Sequence, residues 1–172
     1  MKQIFTIGHS TRSIEAFIAL VKAHGIESVI DIRTIPKSRH CSQFNQKDLR
    51  QALKNHRIGY RHMKGLGGLR HARKDSINTG WINASFRGFA DYMSSTEFEK
   101  ALKKLEAIAQ KKRCVIMCAE AVPWRCHRSL VADALTLRKW KVFHIQSKIT
   151  AKRHKRTSFA RVRKGKLIYP IL

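Results

Sequence analysis

Acid is what this chain has least of. Its 172 residues hold 11 Asp and Glu against 36 Lys and Arg, a formal net charge of +25. An imbalance of that size exceeds what solubility needs and points to polyanionic partners, which such a surface attracts by releasing their counterions. Long apolar runs are also missing. None approaches the ~18 residues that would cross a bilayer, and no basic helix is strongly amphipathic, so no membrane partner is expected. The cysteines Cys41, Cys114, Cys118 and Cys126 form no CxxC pair, and the opening MKQIFTIGHS lacks the apolar stretch and cleavage site of an export signal. Reduced thiols and a cytoplasmic location are the expectation. Repeats, low-complexity tracts and linkers are absent, so residues 1–172 read as one domain, with the basic segment 146–172 packed on it or trailing from it.

What is present suits a packed core: 43% of residues are hydrophobic, with eight Phe, three Trp and three Tyr. The positive charge is concentrated. Residues 32–74 hold twelve Lys or Arg and one acid, Asp48, and residues 134–172 hold twelve more and no acid. Charge alone carries little specificity, and a solvated basic surface is the plain alternative. Nucleic acid or a nucleotide is the favoured partner.

Hydrophobic periodicity gives alternating strands and helices. A short β-rich run at the start is followed by Ile14, Phe17, Ile18 and Val21 at helical spacing, stopped by His24 and Gly25. Residues 28–32 read as a second strand, Asn45 caps a helix carrying Leu49 and Leu53, and residues 58–63 offer a third strand. Ser94 with Glu97 forms a capping-box pattern before Phe98, Leu102 and Leu105. Residues 113–118 give a buried strand, a helix is expected over 126–139, residues 142–145 give another strand, and KLIYPIL an edge strand. The fold class is α/β: a single domain with a mainly parallel sheet of about five strands flanked by helices.

Such sheets place ligands at the carboxyl ends of their strands. This chain has Gly8, His9 and Ser10, then Asp31 and Arg33, then Cys118 and Glu120, then His144 and Gln146 at those points. Two motifs carry chemistry. In DIRTIPKSR an acid precedes a run of cations; Asp31 beside Arg33 can hold a hydroxyl while the guanidinium grips an anion, or the two can form a bracing salt bridge. CAEAVPWRCHR joins Cys118, Glu120, Arg125, Cys126, His127 and Arg128 ahead of a helix start, whose backbone N–H groups and dipole favour an anion. Cys126 near that start can have a lowered pKa; the plainer alternative is Cys118 as a buried core thiol and His127 as a cap or surface residue.

Three chemistries fail on spacing or fit it poorly. A zinc deaminase needs a PCxxC pair, whereas Pro123 is followed by Trp124. A cysteine phosphatase or sulfurtransferase loop would place Glu120 inside its anion cradle. A structural zinc would need Cys118, Cys126 and His127 with a distant Cys41 or His9. No metal and no cofactor are expected. GLGG lacks the Lys-Ser/Thr of a phosphate loop, and Trp81, Phe86 and Phe89 are spaced as core residues.

TIGHS near the start, DIRTIPKSR, the helix around Phe44 to Leu53, GYRHMKGLGG and CAEAVPWRCHR followed by VFHI together resemble the family of domain of unknown function 488 (DUF488). The resemblance implies a small α/β domain and carries no settled activity. His9, Asp31, Arg33, Cys118, Glu120, Cys126, His127 and Arg128 match its motif positions.

The functional expectation is an enzyme acting on a phosphate-bearing substrate, nucleic acid or nucleotide. Asp31 and Glu120 would be acid/base or hydroxyl-orienting carboxylates, and Cys126 or His127 an auxiliary base or nucleophile. His9, Ser10, Arg33, Cys118, Arg125 and Arg128 would hold the ligand. Lys152, Arg153, Lys155 and Arg156 would grip nucleic-acid phosphates. The alternatives are a non-catalytic nucleic-acid-binding module and a small-anion sensor.

Overall fold

The structure is a computed structural model that describes residues 2–172. Its first strand, β1 (Gln3–Gly8), leads to α1 (Ile14–Ala23), whose N-cap Ser13 accepts a hydrogen bond from the Ala16 N–H. His24 and Gly25 end α1, the glycine at φ +65°, a left-handed conformation that glycine adopts without strain. Then follow β2 (Ser28–Asp31), α2 (Gln46–Asn55), β3 (Gly59–His62), α3 (Ala84–Tyr92), α4 (Thr96–Ala109), β4 (Cys114–Cys118), α5 (Arg128–Leu137), β5 (Lys141–Ile145), β6 (Ala151–Arg153), β7 (Arg161–Arg163) and β8 (Lys166–Ile168).

The main sheet has the order β3-β2-β4-β1-β5-β6 and is parallel except for the antiparallel β5–β6 pair. Its central strands are apolar on both faces, as a parallel sheet covered on both sides demands. Phe5, Ile7, Val29, Val115 and Met117 pack with α1 and α2, through Phe17, Val21, Leu49 and Leu53. Ile4, Ile30, Cys114, Ile116 and Val142 face the other way, onto Phe89, Leu102, Leu105, Leu130 and Leu135 of α3, α4 and α5. Among the described residues no helix is long and apolar enough to cross a membrane.

Several elements differ from the sequence reading. The sheet has six strands, because the charged segment AKR pairs with β5 through backbone hydrogen bonds that its composition does not advertise. The final run adds no edge to the main sheet. Lys166–Ile168 pairs with β7 in a separate hairpin whose turn, Lys164 and Gly165, has both residues at positive φ. The cap of α4 is Ser95, whose Oγ accepts from the Phe98 N–H at 3.2 Å, while Ser94 donates to the Asp91 carbonyl at the end of α3. Helix α5 starts at Arg128 because Pro123–Arg125 forms a 3-10 turn and Cys126 is extended. Asn45 precedes α2, yet its side chain accepts from Ser38 N–H and leaves the helix uncapped by it.

The C-terminal segment packs back onto the body of the domain. Tyr169 is fully buried, and its hydroxyl donates to Asp133 of α5 at 2.9 Å.

Candidate functional site

Parallel register sets Gly8 beside Cys118 and Asp31 beside Met117, so the chain leaves β1, β2 and β4 at one edge. The loop after β4 folds over the end of β1: His9 N–H donates to the Cys118 carbonyl and Ser10 N–H to the Ala119 carbonyl, both at 2.9 Å. Only a glycine permits this approach, since a Cβ on Gly8 would lie 1.9 Å from the Glu120 carbonyl oxygen.

Asp31 is fully buried and fully engaged. One carboxylate oxygen accepts from Arg33 Nε (2.9 Å) and its backbone N–H (3.1 Å), the other from Arg33 Nη2 (2.7 Å) and the Tyr60 hydroxyl (2.6 Å). With both oxygens occupied, it aims Arg33, whose Nη2 also donates to the Phe44 carbonyl. His9 stacks on Phe44 and presents Nε2 to Arg33 Nη1 at 3.4 Å. Burial first, and then the Arg33 charge, lower the pKa of His9, so it stands as a neutral brace. Burial and the Asp31 contact raise that of Tyr60, which remains a donor.

The second motif forms the floor. The Sγ atoms of Cys118 and Cys126 are in direct contact at 2.6 Å, and both thiols are buried. Arg128, 1% exposed, donates from Nη1 to Cys118 Sγ (3.2 Å) and the Glu120 carbonyl (3.0 Å), and from Nη2 to the Ala121 carbonyl (3.1 Å). Its Nε has no partner. No carboxylate pairs with this guanidinium among the described residues. A buried cation is costly without a compensating group, and the group placed against Arg128 is the Cys118 sulfur. Burial pushes the Cys118 thiol up, but the hydrogen bond from Cys126 and the Arg128 charge outweigh burial and hold it low. Cys126 is raised, by its bond to Cys118 and then by burial, and keeps the proton. His127 lies against Cys126 (Nδ1 to Sγ 3.7 Å) and donates from Nε2 to the Ile32 carbonyl at 3.1 Å, leaving Nδ1 as an acceptor. Burial lowers its pKa to about 4, so the imidazole is neutral near pH 7.

These groups line a cleft of about 340 Å³. Its walls include Arg33, Lys37, Glu120, Arg125, Cys118, Cys126 and His127. Glu120 and Arg125 are exposed at the rim, and the Glu120 carboxylate accepts from the Val122 N–H. His9, Asp31 and Arg128 are buried and, like half-buried Ser10, are not part of this lining. Lys37 and Tyr60 were missed in the sequence; the cation run after Arg33 was a signal for the first, while nothing local marked the second.

Other expected residues lie elsewhere. Cys41 belongs to the core on the opposite face of the sheet, and no group of three or more His, Cys, Asp or Glu among the described residues is placed to hold a metal ion. His144 joins a buried chain instead: Thr6 Oγ1 contacts its Nδ1 at 2.6 Å, its Nε2 contacts His154 at 2.9 Å, and His154 contacts Asp133 at 2.7 Å. Lys152, Arg153, Lys155 and Arg156 border a second groove of about 410 Å³, together with Trp81, Trp124 and Gln146.

The family model described as Domain of unknown function DUF488 matches residues 13–135, a span that includes both motifs and stops before the basic C-terminal segment. No curated protein and no solved structure matches the chain.

Proposed function

The chain belongs to the DUF488 family, whose description names no activity, and from its own residues we propose that it is an enzyme acting on a phosphate-bearing substrate, nucleic acid or nucleotide. The observation that carries this reading is the contact between buried Arg128 and Cys118, which favours the thiolate form of Cys118 in a cleft lined by Arg33, Lys37 and Arg125. A thiolate is a nucleophile, and the cations around it select anions.

In this reading Arg33 and Arg125 clamp the substrate's phosphate, with Asp31 positioning Arg33. Cys118 is the nucleophile, Cys126 donates a hydrogen bond to it, and neutral His127 accepts a proton at Nδ1. Glu120 serves as acid/base at the rim. Arg128 acts on the thiolate from below, and so contributes to charge balance rather than to the clamp. Such a set suits transfer or cleavage at a sugar or base.

Glu120→Gln tests it on a panel of nucleotides and oligonucleotides. Turnover should fall by roughly 10²- to 10⁴-fold, the usual worth of general acid–base catalysis, while binding is kept or improved, since the change removes a negative charge from an anion site. Unchanged turnover would exclude the role given to Glu120. Affinity maintained with no turnover in the parent protein would favour a binding module.

The basic segment supports nucleic acid over a mononucleotide. Lys152, Arg153, Lys155 and Arg156 are exposed, and none makes an ion pair among the described residues. Neutralising all four should shallow the log–log salt dependence of binding by about three, at ~0.7–0.9 per phosphate contact. An unchanged slope would leave them as solvated surface.

A further inference from the structure

We propose that the groove beside the cleft is a base-stacking site for single-stranded nucleic acid, with Trp124 as its platform; this rests on the reading of the cleft just given. Trp124 is 68% exposed. An indole that wide normally buries most of its surface, and one left open beside cations is the arrangement with which proteins stack unpaired bases. Lys152, Arg153, Lys155 and Arg156 border the same groove, and no carboxylate lines it. At its inner wall Trp81 packs between Phe86, Phe159 and Tyr169, and its buried Nε1–H has no acceptor.

The position of Trp124 connects the two sites. It lies in the 3-10 turn Pro123–Arg125, and while Pro123 and Trp124 border the groove, the next residue, Arg125, borders the thiolate cleft. Successive Cα atoms are only ~3.8 Å apart, so the wall between the sites is a single turn of chain. A strand lying over this turn can stack one base on Trp124 while Arg125 takes a neighbouring phosphate toward Cys118. A duplex cannot do so, because its base faces are already stacked on one another. The substrate class that fits both sites is thus a single strand, or an unpaired loop of a folded RNA, rather than a free nucleotide or a duplex. An acidic peptide would satisfy the cations and leave the indole face uncovered.

The test measures binding of short labelled single-stranded oligonucleotides and of the matching duplex to the full chain and to Trp124→Ala and Trp124→Phe. The alanine variant should lose roughly 5- to 150-fold in single-strand affinity, the range for one stacked base, with duplex affinity and salt slope unchanged. The phenylalanine variant should keep most of the affinity. Single strands should also quench tryptophan fluorescence in the parent protein and quench it far less in Trp124→Ala. Parent-like single-strand affinity in Trp124→Ala overturns the stacking site, even if Glu120→Gln has lost turnover, and the cleft reading then survives alone. A parent protein that binds neither single strand nor duplex at low salt overturns the stacking site and the nucleic-acid form of the cleft reading, leaving a nucleotide as its substrate.

Discussion

Asp31→Asn should destabilise the protein by about 3–5 kcal/mol, the cost of removing one partner from a buried, hydrogen-bonded ion pair. Arg33 is 6% exposed, and its guanidinium makes its bidentate contact with Asp31 and nothing else anionic. Asparagine keeps the shape but removes the charge, and its amide nitrogen would face the donors of Arg33 or the Tyr60 hydroxyl. Urea denaturation reads this as a midpoint lowered by more than about 1 M, given slopes of ~1–3 kcal/mol/M for small proteins. The partner experiment replaces both residues by apolar ones. Asp31→Leu with Arg33→Met should recover much of the loss, since a buried pair exchanged for well-packed apolar groups is often neutral. A midpoint for Asp31→Asn within experimental error of the parent would mean that water reaches Arg33 and that the pair is no brace.

That pair illustrates what the sequence could and could not convey. DIRTIPKSR allowed a ligand-gripping couple or a structural salt bridge, and spacing cannot choose between them. The structure divides the roles: Asp31 is consumed in bracing, while Arg33 still borders the cleft. The convergence of Arg33, Cys118, Glu120 and His127 was legible because β1, β2 and β4 are continuous apolar strands with helical crossovers, and such sheets have one ligand-binding edge. His144 escaped that logic. It sits in register with Thr6 in the body of β5, one position before the strand's last residue, and alternation turns it toward His154 and Asp133. Likewise β6 was hidden, since Lys152 and Arg153 have no apolar periodicity and are strand residues only because β5 offers an edge. The separation of Trp124 from Arg125 depends on a short 3-10 turn, for which composition carries no face assignment.

The Arg128–Cys118 contact, with the thiol held below its ordinary pKa, predicts an asymmetry between its two partners. Cys118→Ala leaves Arg128 as a buried cation with no anion, a loss of about 3–5 kcal/mol. Arg128→Met should be much milder, about 1–2 kcal/mol, because the thiol answers the loss of the cation by taking up a proton. Arg128 also serves the carbonyls of Glu120 and Ala121, and losing those two bonds accounts for the residual cost. Adding Cys118→Ala to Arg128→Met should therefore cost little more than Arg128→Met alone, a strongly non-additive cycle. The same contact sets a pH dependence. The folded pKa of Cys118 lies below its unfolded value of about 8.5, so the thiolate's contribution to stability is complete above that pH and is lost as pH falls through the folded value. Between neutrality and pH ~8.5 this contribution should make the parent gain stability as pH rises, and Arg128→Met should flatten that gain. Above that range the raised pKa of Cys126 acts the other way, since the unfolded chain ionises a thiol that the fold keeps protonated. Alkylation by iodoacetamide near pH 7 provides the second readout: Arg128→Met should slow modification of Cys118 roughly tenfold or more, since a thiol returned to the ordinary pKa of about 8.5 is only a few per cent thiolate at that pH. Equal losses from Cys118→Ala and Arg128→Met that simply add, with alkylation unchanged, would mean that Cys118 is a protonated core thiol and that the charge of Arg128 is neutralised by something other than sulfur.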